Sequence, residues 1–433
     1  MASQEGEIHW KLFEQLKKEI ALIDPVAFAE NNLTIDNKPF RMSGTGWKFL
    51  ADLYREVAAQ ATNKNAKPVV ILKGRQIGAT VLAAVLSLYF TASGLFGTGP
   101  SRPPIRILHA FPTLGLMSKY AKGKLGPMIA SAQHNYVYKR FLKGDPNSAK
   151  IAGTDEAIQE KTFIGMNKLY VDAISRDGDR VRGMSADGIF FDEVQDMSKE
   201  AIENTQRILT SAQYGAPTKG IQLYFGTPKG TGSYFYEIWN KSDQRYYQLR
   251  CIGCQEYFYL YQHGSDSWKT IWISGHDIRC PECGHMQKKV EAIEGGRWQA
   301  SRPGEHQYIG YHLSVLLHPW FKKEDILDLD PANNRERSER SWKNETLGEF
   351  YSGGGQTIDM EDLKKCEDVS RHLAKSYILE GGDKTMVMGI DWGGKDLEEA
   401  GGDPDKPQMG QSYTAIVIMS VDRKGVFTIE NAY

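Results

Sequence analysis

Residues 68–80 read Pro-Val-Val-Ile-Leu-Lys-Gly-Arg-Gln-Ile-Gly-Ala-Thr. An apolar run leads into a turn with two glycines, and the turn ends at a hydroxyl residue that opens a second apolar stretch. This order predicts a buried strand, a loop and a helix. Loop amides in front of a helix N-terminus bind phosphate groups. An ordinary strand, turn and helix without a ligand is the alternative, so the stretch predicts an α/β fold and raises the hypothesis of a phosphate site.

The loop departs from the pattern G-x-x-x-x-G-K-[ST], in which a lysine directly precedes the hydroxyl residue and meets the β- and γ-phosphates. Ala79 occupies that position here, whereas Lys73 stands where the first glycine would be. We expect Lys73 to reach the phosphates from the start of the loop and Thr80 to face Mg²⁺ through its hydroxyl. The residues expected to contact the nucleotide are Lys73, Gly74, Arg75, Gln76, Ile77, Gly78, Ala79 and Thr80.

A second apolar run ends in two carboxylates. Residues 188–193 read Gly-Ile-Phe-Phe-Asp-Glu, which is typical of a strand buried in a parallel sheet. Asp192 is expected to hold Mg²⁺ through water, and Glu193 to orient and deprotonate the attacking water. A surface Asp–Glu pair after a core strand is the alternative. Because the loop and the carboxylate pair occur in the order found in nucleotide triphosphatases, we expect the chain to hydrolyse ATP.

Strands and helical segments alternate from residue 68 to about residue 239. This alternation is typical of a parallel sheet covered by helices on both faces. Ligands of such sheets bind at the carboxyl ends of the strands, where the phosphate loop, the carboxylate pair and Gly226-Thr227-Pro228 all fall. Thr227 is expected to sense the γ-phosphate, unless Gly-Thr-Pro is only a turn. The predicted elements are strands at 68–73, 105–110, 168–174, 188–192 and 221–226 and a helix at 79–92.

Two arginines and a tryptophan are further candidates for this site. Arg75 or Arg182 is expected to stabilise the charge on the transferring phosphoryl group, in its own subunit or in a neighbour. Arg182 could instead belong to an exposed basic loop. A helix is predicted from Trp47 to Ala59, and Trp47 is either an adenine contact or a core aromatic.

Four of the five cysteines pair as Cys251-x-x-Cys254 and Cys280-x-x-Cys283. In a cytosolic chain, two such pairs indicate a metal before a disulfide. Four thiolates close the tetrahedral shell of Zn²⁺ and leave no open position, so the predicted zinc site is structural. Redox-active pairs are the alternative, and His285 is a second candidate ligand. The fifth cysteine, Cys366, is expected to be an inert buried thiol.

The 433 residues carry a formal net charge of -1, so the overall charge does not indicate a nucleic-acid partner. Basic residues are concentrated in 117–150, where they predict either a DNA contact or a solvated face. No secretory signal opens the chain, and the uncharged stretch 79–96 fits a helix packed on a sheet better than a membrane span. We therefore expect a cytosolic protein without membrane contact. The basic residues are Lys119, Lys122, Lys124, Lys139, Arg140, Lys143 and Lys150.

The length predicts two or more domains. Near the end of the chain, three strands in meander order, with Asp391 closing the first, predict the start of a ribonuclease-H-like fold. Nucleases of that fold gather several carboxylates around two metal ions. We expect the chain to end before most of the fold can form. The predicted divisions are a helical lead-in at 1–45 with an amphipathic stretch at 10–23, a P-loop ATPase core at 46–249, a zinc-ribbon-like module at 250–300 inserted after the sheet ends, the end of the ATPase domain with a linker at 301–380, and an incomplete nuclease domain at 381–433.

Taken together, these residues resemble the large terminase subunit of tailed bacteriophages, nearest its lambda-type branch, over about residues 45–433. That branch has a phosphate loop with the lysine displaced to its start, as at Lys73. Three other segments are similar to the family's metal strand, its coupling motif and a segment near the end of its motor. Asp391 falls at the position of the first metal ligand of the nuclease. The three segments are Arg182-Gly183 with the strand ending in Asp192-Glu193, Phe225–Pro228 and Trp342–Phe350.

The resemblance implies an ATP-driven translocase of double-stranded DNA that packages a viral genome into proheads with ATP and Mg²⁺. It implies the small terminase subunit and the portal protein as partners, a homo-oligomeric ring on assembly, and the cytoplasm of the infected bacterium as the location. Nuclease activity is not expected of this chain, because the later acidic residues of the nuclease have no counterpart. A helicase-like remodelling ATPase and a zinc-bearing DNA-binding protein with an inactive nucleotide site are the alternatives.

Overall fold

The computed structural model describes residues 22–36, 38–130, 160–174 and 178–351, and the backbone of 385–391, 415–421 and 427–432. Most of the predicted amphipathic stretch at 10–23 lies outside the described residues, and so does Cys366. Two compact units divide the chain, Met1–Gly355 and Gln356–Tyr433. The basic residues that lie outside the described part are Lys139, Arg140, Lys143 and Lys150.

Strands form the framework of both units. In chain order they are β1 (Thr34–Ile35), β2 (Lys38–Pro39), β3 (Val69–Lys73), β4 (Arg106–Phe111), β5 (Glu160–Phe163), β6 (Asn167–Ala173), β7 (Gly188–Asp192), β8 (Ile221–Gly226), β9 (Arg245–Arg250), β10 (Tyr257–Tyr259), β11 (Trp272–Ser274), β12 (Asp277–Arg279), β13 (Met286–Lys288), β14 (Arg297–Ala300), β15 (Ile309–Leu313), β16 (Thr385–Asp391), β17 (Ala415–Val421) and β18 (Phe427–Ala432).

The helices of the described residues all lie in the first unit. The α-helices are α1 (Pro25–Asn32), α2 (Lys48–Ala59), α3 (Ala79–Ala92), α4 (Leu114–Tyr120), α5 (Gly126–Ala130), α6 (Lys199–Gln206), α7 (Tyr234–Asn240), α8 (Trp268–Ile271), α9 (Lys289–Glu294), α10 (Lys323–Leu329) and α11 (Glu339–Ser341). Two π-helical turns continue α4 and α11, at Ala121–Leu125 and Trp342–Leu347. Among these helices, none is both long and apolar enough to cross a bilayer.

A large, mostly parallel sheet is the centre of the first unit. Among the described residues its strands follow the order β10-β9-β15-β3-β8-β7-β4-β6-β5, and β14 also pairs with β9. The neighbours from β15 to β6 are parallel. Each of the five predicted strands is observed with ends displaced by at most one residue, and the helix predicted at 79–92 has those bounds. The predicted α/β fold with a parallel sheet is therefore confirmed.

Two apolar cores cover the two faces of this sheet. Strands β3, β7 and β8 are buried at every residue, as expected when helices shield both faces. On one face, α3 packs with side chains that include Phe190 and Phe225. On the other face, Phe191 and Tyr224 pack with α6 and α7. Because side chains of a strand alternate between faces, residues 190 and 192 point to the α3 side.

The sheet does not end before the cysteines, contrary to the prediction that the cysteine module follows it. Strands β10 and β14 both pair with β9 in antiparallel fashion, and β15 returns to pair in parallel with β3. Cys251 and Cys254 therefore lie on the loop between β9 and β10 of the central sheet, whereas Cys280 and Cys283 lie on the loop between β12 and β13 of a small sheet of β11, β12 and β13. Strands β9, β10 and β14 escaped prediction because runs such as Arg-Tyr-Tyr-Gln-Leu-Arg in β9 mix charged and apolar residues.

The second unit contains an antiparallel sheet in the order β16-β17-β18. Its three strands coincide with the meander predicted from the sequence. Asp391 is the last residue of β16 and pairs with Ala415 of β17. The segment between residue 351 and β16 lies outside the described residues.

Candidate nucleotide-binding site

The carboxyl ends of three neighbouring parallel strands bring the predicted site residues together. Lys73 ends β3, Thr227 follows β8, and Glu193 follows β7. The Lys73 Nζ atom lies 3.1 Å from Glu193 Oε1 and donates to Thr227 Oγ1 at 3.3 Å. Only 8 % of the Lys73 side chain is exposed, so its charge is held in place by these two partners. The loop and the carboxylate pair therefore meet at one edge of the sheet.

The start of the loop is fixed by the protein itself. The N–H of Gly74 donates to Leu313 O at 2.8 Å, and the N–H of Arg75 donates to Glu345 O at 2.7 Å. A Cβ atom at Gly74 would lie 2.7 Å from Val315 Cγ2, which explains the glycine at this position. These two amides already have acceptors, contrary to the expectation that Gly74 and Arg75 offer their N–H groups to a phosphate.

The remainder of the loop has free donors. Gln76 has a φ of 60° and Gly78 a φ of 87°, so the chain turns twice through the left-handed region. Among the described residues, the backbone N–H groups of 76–80 have no hydrogen-bond acceptor. They lie at the N-terminus of α3, where the helix dipole adds positive potential. Such an arrangement binds anions.

The Glu193 carboxylate is held in place by hydrogen bonds from Lys73 and Gln195. Its backbone is left-handed, with a φ of 59°, which is a strained conformation for a non-glycine residue and clusters at functional sites. Gln195 Nε2 donates to Glu193 Oε2 at 2.6 Å. Burial raises the pKa of the Glu193 carboxyl, but the charge of Lys73 and the hydrogen bond from Gln195 outweigh it, so the pKa lies below its ordinary value. The carboxylate is therefore ionised at neutral pH.

Asp192 lies deeper than Glu193. It is buried, it does not line the cavity, and its Oδ2 atom is 3.5 Å from His109 Nε2. Its Oδ1 atom has no hydrogen-bond partner among the described residues. Burial lowers the pKa of His109 more than Asp192 raises it, so the imidazole is neutral.

A cavity of about 660 Å³ surrounds these groups. The sequence interpretation missed part of its wall, which comes from residues 338–345, more than 250 positions after the loop. Arg75 reaches that wall, with its Nη2 atom 3.2 Å from Glu345 Oε1. The lining residues outside the predicted set include Lys124, Gln195, Asp196, Lys229, Ser338, Arg340, Ser341, Asn344 and Glu345.

Two sequence candidates lie away from the cavity. The side chain of Arg182 is 65 % exposed and pairs with Asp179, and it does not line the cavity. Its place on an exposed turn is the alternative that the sequence left open. Trp47 is buried against Phe49, His318 and Trp320, so it is a core aromatic and does not line the cavity.

The four predicted cysteines form a separate cluster. Their sulfur atoms all lie within 4.8 Å of one another. The Sγ atoms of Cys251 and Cys283 are 3.7 Å apart, and those of Cys254 and Cys280 are 3.8 Å apart. His285 is not part of this group among the described residues.

The fold and the cavity define a class of α/β proteins with a charged cleft at the carboxyl edge of a mostly parallel sheet. A profile of the family described as "Phage terminase large subunit gpA, ATPase domain" matches residues 45–299, which is more than half of the chain. The chain belongs to this family. No curated protein matches it.

Several solved structures are similar at low identity. The HK97 bacteriophage large terminase is 12% identical, with 95% of this chain and 67% of that chain covered and a TM-score of 0.42. Another large terminase, from a thermophilic bacteriophage, is 14% identical, with coverage of 91% and 68% and a TM-score of 0.40. The ATPase domain of the Thermus phage P74-26 large terminase is 14% identical, with coverage of 66% and 90% and a TM-score of 0.38. At these scores they carry no further argument.

Proposed function

We propose that this chain is an ATP-driven translocase of double-stranded DNA, the motor that packages a phage genome into proheads. The observation that carries the proposal is the contact of Lys73 with both Glu193 and Thr227, beside the free amides of 76–80. A cation, a base, a hydroxyl and an anion-binding helix end are the groups that phosphoryl transfer from ATP requires. Membership of a family described by its ATPase domain supports the same activity.

We assign the steps of ATP hydrolysis to Lys73, the amides of 76–80, Glu193 and Thr227. Lys73 and the amides of 76–80 bind the phosphates of ATP. Glu193 accepts a proton from water as the water oxygen bonds to the γ-phosphorus and the bond to the bridging oxygen of ADP breaks. The lowered pKa of Glu193 keeps it in the basic form. Thr227, which accepts a hydrogen bond from Lys73, is placed to sense the loss of the γ-phosphate through that lysine.

The residues present fit Mg²⁺, which prefers oxygen ligands and keeps several waters. The hydroxyl of Thr80 lines the cavity, and Asp192 has a buried carboxylate oxygen without a hydrogen-bond partner among the described residues. We infer that Thr80 and Asp192 hold the ion, Asp192 through water. When bound, Mg²⁺ neutralises charge that develops on the β- and γ-phosphates.

Arg75 and Arg182 are assigned different roles. Arg75 lines the cavity, so it is placed to stabilise the transferring phosphoryl group of its own subunit. Arg182 is exposed and paired with Asp179, so it would act only on the nucleotide of a neighbouring subunit. Arg340 also lines the cavity and is a second candidate within the subunit.

We propose that the four cysteines hold a structural Zn²⁺. Zinc–sulfur bonds of about 2.3 Å in a tetrahedron separate neighbouring sulfur atoms by about 3.8 Å, and two sulfur pairs lie 3.7 Å and 3.8 Å apart. Because all four sulfur atoms also lie within 4.8 Å of one another, this arrangement suits Zn²⁺. Redox pairing of cysteines within each C-x-x-C motif is less well supported, because these two close pairs join the two motifs.

We propose the partners that the resemblance to the family implies. They are double-stranded DNA, the small terminase subunit and the portal protein, with a homo-oligomeric ring formed on assembly in the cytoplasm of the infected bacterium. Lys119 and Lys122 are the described members of the basic stretch that remain candidates for DNA, because Lys124 lines the nucleotide cavity.

We propose that the second unit belongs to a ribonuclease-H-like nuclease domain. Its antiparallel order β16-β17-β18 supports this, and Asp391 at the end of β16 is the candidate metal ligand. Because nucleases of this fold gather several carboxylates around two metal ions, Asp391 alone would not complete the site, and we do not propose endonuclease activity for this chain.

Hydrolysis of ATP by the purified chain, with and without double-stranded DNA, tests the proposal. We expect turnover that DNA stimulates and that Lys73→Ala abolishes, while Lys241→Ala, an exposed lysine away from the cavity, leaves turnover unchanged. Equal turnover in Lys73→Ala and the unsubstituted chain would refute the site. Strand displacement on a forked duplex would favour the helicase alternative, and absence of turnover would favour the DNA-binding alternative.

A further inference from the structure

A group of buried polar atoms lies behind Asp192 and has no role in the steps above. His109, Tyr120 and Asp192 are all buried. Neither ring nitrogen of His109, nor the hydroxyl of Tyr120, nor Asp192 Oδ1 has a hydrogen-bond partner among the described residues. Buried polar groups are nearly always hydrogen-bonded, so a cluster of exceptions needs an explanation.

The sheet places His109 directly behind the carboxylate. His109 of β4 pairs with Phe190 of β7, two positions before Asp192. Because side chains alternate along a strand, Phe190 and Asp192 point to the same face of the sheet. His109 Nε2 therefore comes within 3.5 Å of Asp192 Oδ2.

Aromatic rings hold the imidazole in this orientation. Phe111 stacks on it, with ring centroids 4.6 Å apart and planes at 22°. Tyr120 contacts it edge-on, with centroids 4.3 Å apart, and Phe225 lies at 6.1 Å. A phenylalanine or leucine would fill such an apolar cage without any unpartnered nitrogen. The polar ring is therefore explained by what its Nε2 atom faces.

We propose that His109 is a positioning residue for Asp192, a role that rests on the proposed function. An imidazole can carry a hydrogen on Nε2 in either charge state. With the hydrogen on Nε2, His109 donates to Asp192 Oδ2 and restrains the carboxylate, so that Oδ1 is left for water bound to Mg²⁺. Groups that orient a metal-binding carboxylate contribute about 10- to 100-fold to metal affinity or activity.

The test is the Mg²⁺ dependence of nucleotide binding, measured with a fluorescent non-hydrolysable ATP analogue. We expect His109→Phe to lower the apparent Mg²⁺ affinity about 10- to 100-fold and to leave binding of the analogue in EDTA unchanged. His109→Gln, whose amide N–H can replace Nε2–H, should recover most of the Mg²⁺ affinity. Tyr120→Phe removes an unpartnered hydroxyl from the same cage and should have no effect.

Asp192→Asn separates this proposal from the proposed function. If Asp192→Asn lowers the Mg²⁺ affinity and a folded His109→Phe does not, His109 has no positioning role. If Asp192→Asn itself has no effect, the assignment of Asp192 to Mg²⁺ fails, and the role of His109 fails with it. If His109→Phe does not fold, His109→Met, which is unbranched and apolar, replaces it in the same comparison with His109→Gln.

Discussion

The nucleotide cavity and the cysteine cluster differ in whether their side chains pair with one another or face a common centre. In the cavity, Lys73 pairs with Glu193, Arg75 pairs with Glu345, and Lys229 pairs with Asp196. In the cluster, four sulfur atoms converge on a common centre. A site whose charges are paired internally keeps its shape while a ligand enters and leaves. A site whose ligand atoms face only a common centre depends on a ligand that stays.

The comparison predicts opposite consequences for the two sites. Removing a group from the cavity should change activity and leave the fold intact. Removing a cysteine should change the fold itself, because one cysteine loop connects β9 and β10 of the central sheet and the other connects β12 and β13 of the small sheet. Chain stability and nucleotide turnover therefore report on different sites.

The largest effect is expected from Cys280→Ser. Structural zinc sites contribute about 10–16 kcal/mol of apparent binding free energy in isolated peptides, so losing one ligand should release the metal and unfold the loops around it. Zinc content and the midpoint of thermal unfolding should both fall. Cys366→Ser, at the cysteine outside the two C-x-x-C motifs, is the matched control. An unchanged zinc content and melting temperature in Cys280→Ser would show that the cluster holds no structural metal.

Glu193→Gln should affect chemistry alone. Losing a general base lowers turnover by about 100-fold or more, whereas the amide keeps the size of the side chain, so binding of ATP and the melting temperature should be retained. Steady-state kinetics and equilibrium binding measure the two effects. The control is Glu203→Gln, an exposed position on α6. Near-normal turnover in Glu193→Gln would remove the residue from this role.

Site residues that are close together in the chain could be predicted from the sequence, whereas those that are far apart in the chain could not. The loop from Lys73 to Thr80, the carboxylate pair and the cysteine spacing are each set within a few residues, so local patterns were sufficient. Residues 338–345 line the cavity although they come more than 250 positions after the loop, and His109 comes close to Asp192 because β4 lies beside β7 in the sheet. The sequence marked Trp342–Phe350 only by its resemblance to a segment near the end of the motor and did not assign that segment or His109 to the site. Arg182 is near the carboxylate strand in sequence and lies exposed on a turn, so its role in phosphoryl transfer stays a prediction.

Gly74→Ala tests how tightly the loop depends on the distant wall. Its added Cβ would lie 2.7 Å from Val315 Cγ2 and 2.8 Å from Glu345 O. Overpacking of this kind costs about 1–3 kcal/mol, measured as the free energy of unfolding in denaturant. Gly230→Ala, where nothing lies within 4 Å of the new Cβ, is the control and should be neutral. If the two variants are equally stable, Val315 and Glu345 move to accommodate the added Cβ without a cost in free energy.

The smallest effect concerns the contact between Glu349 and His263. Burial raises the pKa of Glu349, but hydrogen bonds from His263, Tyr261 and the N–H of Gly264 outweigh it and lower the pKa. Lys343 also faces Glu349, at 3.2 Å. The hydrogen bond to Glu349 in turn raises the pKa of His263.

The sign of the pH dependence follows from these two shifts. Because its pKa is lowered in the folded state, the Glu349 carboxyl stabilises the fold above its unfolded pKa of about 4.3. This stabilisation is lost as the pH falls through the folded pKa. Because its pKa is raised in the folded state, the His263 imidazole stabilises the fold below about pH 6.5. This stabilisation is lost as the pH rises through the folded pKa. Because 65 % of the His263 side chain is exposed, we expect under about 1 kcal/mol from the imidazole. The free energy of unfolding in denaturant, measured from pH 3 to 8, should fall towards acid and towards alkaline pH. Glu349→Gln should lose both of these pH dependences. If the variant keeps them, Glu349 and His263 are not their source.

A structure of this chain with ATP-γ-S and Mg²⁺ tests the central claim most directly, since that claim is that the loop and the carboxylate pair form one triphosphate site. We predict the nucleotide in the cavity lined by Lys73 and Glu193, with phosphate oxygens accepting hydrogen bonds from Lys73 Nζ and from the backbone N–H groups of 76–80. A nucleotide bound elsewhere, or phosphates that contact neither Lys73 nor these amides, would contradict the account.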